Sequence, residues 1–94
     1  MALYQLAFAN AARKAIRKHV RAKTIPTESF DEIIDCLEQS RPLPAKYQDH
    51  KLHGKFSAYR ECHLGFNLLV LYKRNEETRV IIISDVGTHD ELFG

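Results

Sequence analysis

Two apolar runs near the end of the chain restrict its possible folds more than anything else in the sequence. Phe66 to Lys73 (Phe-Asn-Leu-Leu-Val-Leu-Tyr-Lys) is nearly all apolar and Val80 to Ile83 wholly so, with Asn75, Glu76 and Glu77 between them. Short apolar runs bounded by turn formers read as strands, and strands this apolar take the central places of a sheet. Just upstream, Phe56 to Leu64 alternates and Gly65 marks a turn, so the three segments form an antiparallel meander. The rest of the chain has to cover that meander.

The first half supplies the cover. Leu3 to Phe8 is too brief for a helix and reads as a fourth strand, after which Asn10 stands where a helix cap is needed. Phe8, Ala12, Ile16 and Val20 recur every fourth residue, with Arg13, Lys14, Arg17, Lys18 and Arg21 on the other side, which predicts an amphipathic helix ending near Lys23 with His19 on its exposed flank. Thr24-Ile25-Pro26-Thr27 breaks it. Ser29 and Glu32 have the spacing of a capping box for a second helix that buries Phe30, Ile33, Ile34 and Leu37 and stops by Arg41, ahead of Pro42 and Pro44. The prediction is an α+β fold of two layers: a helix hairpin on a mainly antiparallel four-stranded sheet, in the order strand, helix, helix, strand, strand, strand and a short C-terminal turn.

Ninety-four residues suffice for one domain, residues 1–94, with one core. No apolar run is long enough to span a bilayer and Met1 to Phe8 does not read as a secretory signal, so a cytoplasmic protein that does not engage the membrane is expected. Cys36 and Cys62, without CxxC spacing, read as small buried hydrophobes. The net charge of +2 conceals a division: residues 1–27 carry six Lys/Arg and no acid, whereas Glu28, Asp31, Glu32, Asp35 and Glu38 follow with no base among them. Either the two helices partly neutralise each other, or the first docks on nucleic acid or an acidic partner.

Leu43 to Lys55 shows neither period and reads as a long ordered loop, the kind of segment that carries function in a small domain. Between 41 and 60 it sets Arg41, Lys46, Lys51, Lys55 and Arg60 against Asp49 alone, and His50 and His53 lie among them. His63 shares one strand face with Ser57, Tyr59 and Glu61, and His89 follows the last strand, where Gly87 frees the backbone and Thr88 can cap a terminal turn carrying Leu92 and Phe93. Histidines around a cationic loop suit cleavage of a phosphodiester by its own 2′-hydroxyl. That reaction needs a base, an acid and positive charge beside the phosphorane, and no metal or cofactor. Taken singly, each histidine is more often a structural or solvent-exposed residue than a catalytic one. A zinc site at His50, His53, Cys62 and His63 matches no closed tetrahedral spacing.

Several segments together go further. Leu43-Pro44-Ala45-Lys46-Tyr47-Gln48-Asp49-His50-Lys51-Leu52 with Gly54-Lys55, then Tyr59-Arg60-Glu61-Cys62-His63, Leu71-Tyr72-Lys73, Gly87-Thr88-His89 and Leu92-Phe93-Gly94, resemble the YafQ branch of the RelE-type toxins over residues 42–94. The resemblance implies a RelE-like fold and a metal-independent, ribosome-dependent endoribonuclease, an mRNA interferase of a type II toxin–antitoxin system. It also implies a cognate antitoxin, the ribosomal A site and messenger RNA as partners, and a monomeric free toxin. Carried residue by residue, it makes His50, His63 and His89 catalytic, sets Phe93 on the C-terminal aromatic, and places Lys51, Lys55 and Arg60 in segments that contact the RNA backbone.

Two positions depart from the family pattern. Asn67 stands where the family has an acid after the His63 turn, and Asp85 where it has an arginine ahead of Gly-Thr-His. The second reverses the charge where an anionic phosphorane needs a cation, a loss that typically costs a few kcal/mol. The alternative expectation is therefore a catalytically weakened or inactive homologue that binds antitoxin or ribosome without cleaving. A gyrase inhibitor on the same fold is disfavoured by the three histidines.

Overall fold

A computed structural model describes residues 3–65 and 67–94. The two apolar runs form the middle of the sheet, as expected. They are β4 (Leu68–Asn75) and β5 (Val80–Thr88), paired antiparallel; the expected start of the first run, Phe66, lies outside the described residues. β3 (Arg60–Gly65) flanks β4, and β1 (Gln5–Phe8) runs parallel to β5 with Gln5 opposite Val80 and Phe8 opposite Ile83. The sheet has five strands rather than four. The fifth is β2 (His50–Lys51), a two-residue segment of the long loop that pairs with β3 and completes the order β1-β5-β4-β3-β2. Two residues show no period, so the sequence could not announce it.

Helices α1 (Asn10–Arg21) and α2 (Thr27–Glu38) cover one face. Ile33 and Leu37 from α2 and Ala12 from α1 meet Cys62, Leu64, Val70, Tyr72, Ile81, Ile83 and Val86 from the sheet in one core. Burying aliphatic side chains of this size contributes about 1.5–3 kcal/mol each. The stripe of α1 is rotated from the expected one: Val20 is 58% exposed, whereas His19 is only 7% exposed and takes the position seven residues after Ala12. Neither helix has a side-chain cap. Ala9 precedes Asn10 at the start of α1, and Pro26 occupies the cap position of α2, where its fixed φ suits the entry that Ser29 was expected to make.

The 43–55 segment is ordered by two helical turns, Ala45–Tyr47 and Gly54–Phe56. Tyr47 is buried and its hydroxyl donates to the Glu32 carboxylate of α2. Tyr72 donates to Asp49 Oδ1 at 2.5 Å, and Arg60 grips the same carboxylate through Nη2 at 3.0 Å. The one acid of the basic loop thus ties the loop to the sheet.

β5 is longer than the apolar run that announced it, continuing through Ser84 to Thr88. A bulge there places Ile83 opposite Tyr72 and Asp85 opposite Leu71, with Ser84 the extra residue. Gly87, expected just past the strand, lies inside it. Thr88 does cap a short helix, α3 (His89–Phe93): its hydroxyl accepts from the Glu91 N–H and the Glu91 side chain accepts from the Thr88 N–H.

Candidate functional site

Strand alternation puts Cys62 and Leu64 toward the helices and Glu61 and His63 toward the other face. On that far face lies an open cleft of about 480 Å³, lined by Glu61, His63, Asn67, Leu69, Thr88, His89 and Asp90. Two of the three expected catalytic histidines therefore share one cavity. His63 enters it from β3, and His89 from the first turn of α3.

His50 lies beside them, its ring centroid 6.3 Å from that of His63. Pairing of β2 with β3 sets His50 opposite Glu61, and two acceptors hold the ring: Gln48 O is 2.7 Å from Nδ1, and Glu61 Oε1 is 3.4 Å from Nε2. Gln48 adopts a left-handed φ of 49°, just ahead of the strand. Glu61 is 7% exposed, and His50 provides its ion-pair contact. A buried carboxylate beside a histidine is a site residue that the sequence reading placed on the right face but did not single out. Its position opposite His50 depends on β2, which had no sequence signal.

An aromatic cluster adjoins His89. Phe93 packs on His89 at 5.2 Å between ring centroids and edge-on against Phe56, also at 5.2 Å. Lys55 lies over the Phe56 ring at 5.4 Å, which brings one loop cation to this side. Asn67, at the β3–β4 turn, reaches the cleft as an exposed amide.

The other expected substrate contacts are placed elsewhere. Arg60 lies opposite Tyr72, on the helix side, occupied by Asp49; the hydrogen bond to that carboxylate raises its already high pKa. Lys51 lies opposite Arg60 in the β2–β3 pairing and shares that face, away from His63. Cys62 is fully buried on the core side, and burial pushes its thiol up to about 12, so it does not join His50 and His63 as a ligand set. His53 is exposed and lines none of these walls. Asp85 falls in the register row His50–Glu61–Leu71–Asp85, beside the cleft, where its Oδ1 accepts from the Val86 N–H at 2.9 Å. Among the described residues it has no ion-pair partner.

Charge outside the cleft is also distributed in a particular way. The acids of α2 pair with the loop, Asp35 with Arg41 and Glu32 with Lys46, rather than with α1. On α1, Lys18 is the one Lys/Arg in an ion pair among the described residues. The basic helix is therefore left largely unneutralised.

A helix pair on one face of a mixed five-stranded sheet is the fold of the small RelE-like toxins, here with a histidine-lined cleft on the open face. The chain belongs to the YafQ family: the family model for the bacterial toxin of type II toxin–antitoxin systems, YafQ, matches residues 4–94. The mRNA interferase toxin YafQ of Escherichia coli K12 is 34% identical over 58 residues, 62% of this chain and 61% of that protein, so the match spans about three fifths of that relative's length. Among solved structures, a metal-bound toxin from Helicobacter pylori is 27% identical and superposes with a TM-score of 0.87 over 99% of this chain and all of that one. YafQ in the E. coli DinJ–YafQ toxin–antitoxin complex superposes with a TM-score of 0.84 at 24% identity, covering 98% and 99% of the two chains, which shows the common fold. No helix of the described residues is long and apolar enough to cross a membrane.

Proposed function

We propose that this protein is the toxin of a type II toxin–antitoxin system and cleaves messenger RNA in the ribosomal A site by 2′-hydroxyl attack. The observation that carries the reading is the meeting of His63 and His89 in one cleft, with Glu61-held His50 behind them. The E. coli relative named an mRNA interferase supports the same activity. A phosphodiester between the two histidines has a proton acceptor near the 2′-hydroxyl and a donor near the departing 5′-oxygen, the pair of roles that imidazole holds near neutral pH. His50, held between Gln48 O and Glu61, sets a third imidazole beside His63. Asn67 offers an amide in place of a carboxylate, able to orient substrate but not to take its proton. Phe93 provides a ring on which a base can stack, and Lys55 a cation for a flanking phosphate. No step calls for a metal held by the protein itself.

The antitoxin of the E. coli complex points to an equivalent partner here. The unneutralised basic face of α1 fits an acidic protein or ribosomal RNA. Working in the A site places the protein in the cytoplasm, and the free chain is expected to be monomeric.

A second reading has one observation in its favour: Asp85 adds a negative charge to the row that contains Glu61. On that reading the chain binds ribosomes but cleaves weakly or not at all. Ribosome pelleting run beside cleavage mapping on a translated message separates the two. Cleavage that disappears in His63→Ala and His89→Ala supports the nuclease, whereas binding without cleavage by the unaltered chain selects the weakened homologue.

A further inference from the structure

Helix α3 carries His89 and Phe93 but has only five residues, too few to hold a helical conformation unaided. Its hold on the rest of the molecule converges on one side chain. Glu91 Oε1 accepts from the Thr88 N–H at 2.8 Å and lies 3.2 Å from Nε2 of His19, while Oε2 meets the Lys18 ammonium. His19 is itself fixed. Its Nδ1 lies 2.9 Å from Thr24 Oγ1, and the Thr24 hydroxyl donates to the His19 carbonyl. A carboxylate only accepts, so the Nε2 proton points at Glu91. This is why a histidine occupies the buried end of the α1 stripe.

A second observation points the same way. Gly87 lies directly under Glu91: a Cβ added there would come within 3.0 Å of Glu91 Oε1 and 3.2 Å of Glu91 Cβ. The β5 backbone is bare where the carboxylate has to settle. Glu91 is thus bound from α1 by His19 and Lys18, from its own cap by Thr88, and packs closely over residue 87, which has no side chain.

We propose that His19 and Glu91 are positioning residues that clamp α3 to α1 and thereby hold His89 and Phe93 at the cleft. Neither need touch RNA. The proposal rests on the functional reading above in one respect only, that His89 takes part in cleavage.

The test compares Glu91→Ala, Glu91→Gln, His19→Ala and His19→Gln with an exposed control, Glu77→Gln. Amide hydrogen exchange and the His89 ring signals are followed by NMR in the free protein, and ribosome-dependent cleavage is measured kinetically. The α3 amides of Glu91→Ala and His19→Ala should exchange at least about tenfold faster while those of Ile81 and Ile83 are unchanged. In the same variants kcat should fall by about tenfold to a hundredfold, the cost of a misplaced reacting group, with KM little altered. Glu91→Gln and His19→Gln keep hydrogen-bonding groups and should recover part of the loss. An α3 as well protected in Glu91→Ala as in the unaltered chain overturns the clamp. Faster exchange throughout β5 overturns it too, since it would show a general loss of stability. Loosening of α3 in a chain that, unaltered, cleaves nothing overturns the reaction and leaves only the anchoring.

Discussion

Replacing Asp85 with arginine addresses the central electrostatic question of the cleft. Asp85 lies opposite Leu71, two residues before Gly87, which lies opposite Leu69 in the His63 row. With strands about 4.8 Å apart and residues about 3.3 Å apart along them, its carboxylate is about 10 Å from a phosphate held between His63 and His89. A unit charge at about 10 Å contributes about 1.7 kcal/mol at an effective dielectric of about 20, and about a third of that after screening over a Debye length of about 8 Å. Asp85→Asn removes one unit of repulsion and should raise kcat by about 3- to 18-fold; Asp85→Arg changes two units and should raise it by about 7- to 320-fold. The two gains should stand near one to two on a logarithmic scale and shrink with added salt. The assay is single-turnover cleavage of a message on programmed ribosomes, with urea denaturation confirming that each variant is folded. Folded Asp85→Arg protein no faster than the unaltered chain would refute the argument. A full gain already present in Asp85→Asn would shift the cause from charge to the hydrogen bond between Asp85 and the Val86 N–H.

Three further outcomes are expected. Tyr72→Phe removes the hydroxyl that donates to Asp49, whose phenol burial and that bond keep protonated well above the usual range; the loss should cost about 1–3 kcal/mol in urea unfolding. Lys18, and next the Thr88 N–H, hold Glu91 down at about 2 against an ordinary 4.5, so the stabilising effect of its carboxylate is complete above about pH 4.5 and lost as pH falls through 2. The melting-temperature gap between the unaltered chain and Glu91→Gln should therefore be constant from pH 5 to 7 and close on acidification; a gap that widens below pH 4 would contradict the assignment. In a Cys36→Ser background, Cys62 should react with a thiol reagent at pH 8 only at the rate of unfolding, because burial suppresses its thiolate.

The fold was legible wherever one physical signal dominated a segment. Val80 to Ile83 and the run ending at Lys73 could only be central strands, and the spacing of Ile33, Ile34 and Leu37 could only be a buried helix face. Legibility failed where pairing rather than periodicity decided. The two residues of β2 and the polar continuation of β5 through Ser84 and Asp85 exist because a neighbouring strand offers hydrogen bonds. His19 was misread because a histidine among arginines and lysines looks solvated, and its burial depends on Thr24 and Glu91, five and seventy-two residues away. At the candidate site, alternation placed His63 and Glu61 on one face, but it could not show that Glu61 meets His50 or that Asp49 withdraws Arg60. Both facts depend on the path of a loop.

β5 leads from the most buried part of the molecule to the residue before His89 without a break. Only four residues separate fully buried Ile83 from Thr88, the cap of the helix that carries His89. Harmful changes in this one segment therefore divide by position. Those at the buried positions up to Val86 weaken the fold and lower the amount of protein, while on the proposed function those from Gly87 onward leave a folded chain whose chemistry is impaired. If the proposed function holds, a bacterium escaping the toxin can take either route within a dozen codons. Only the second leaves a folded chain with which an antitoxin could still pair.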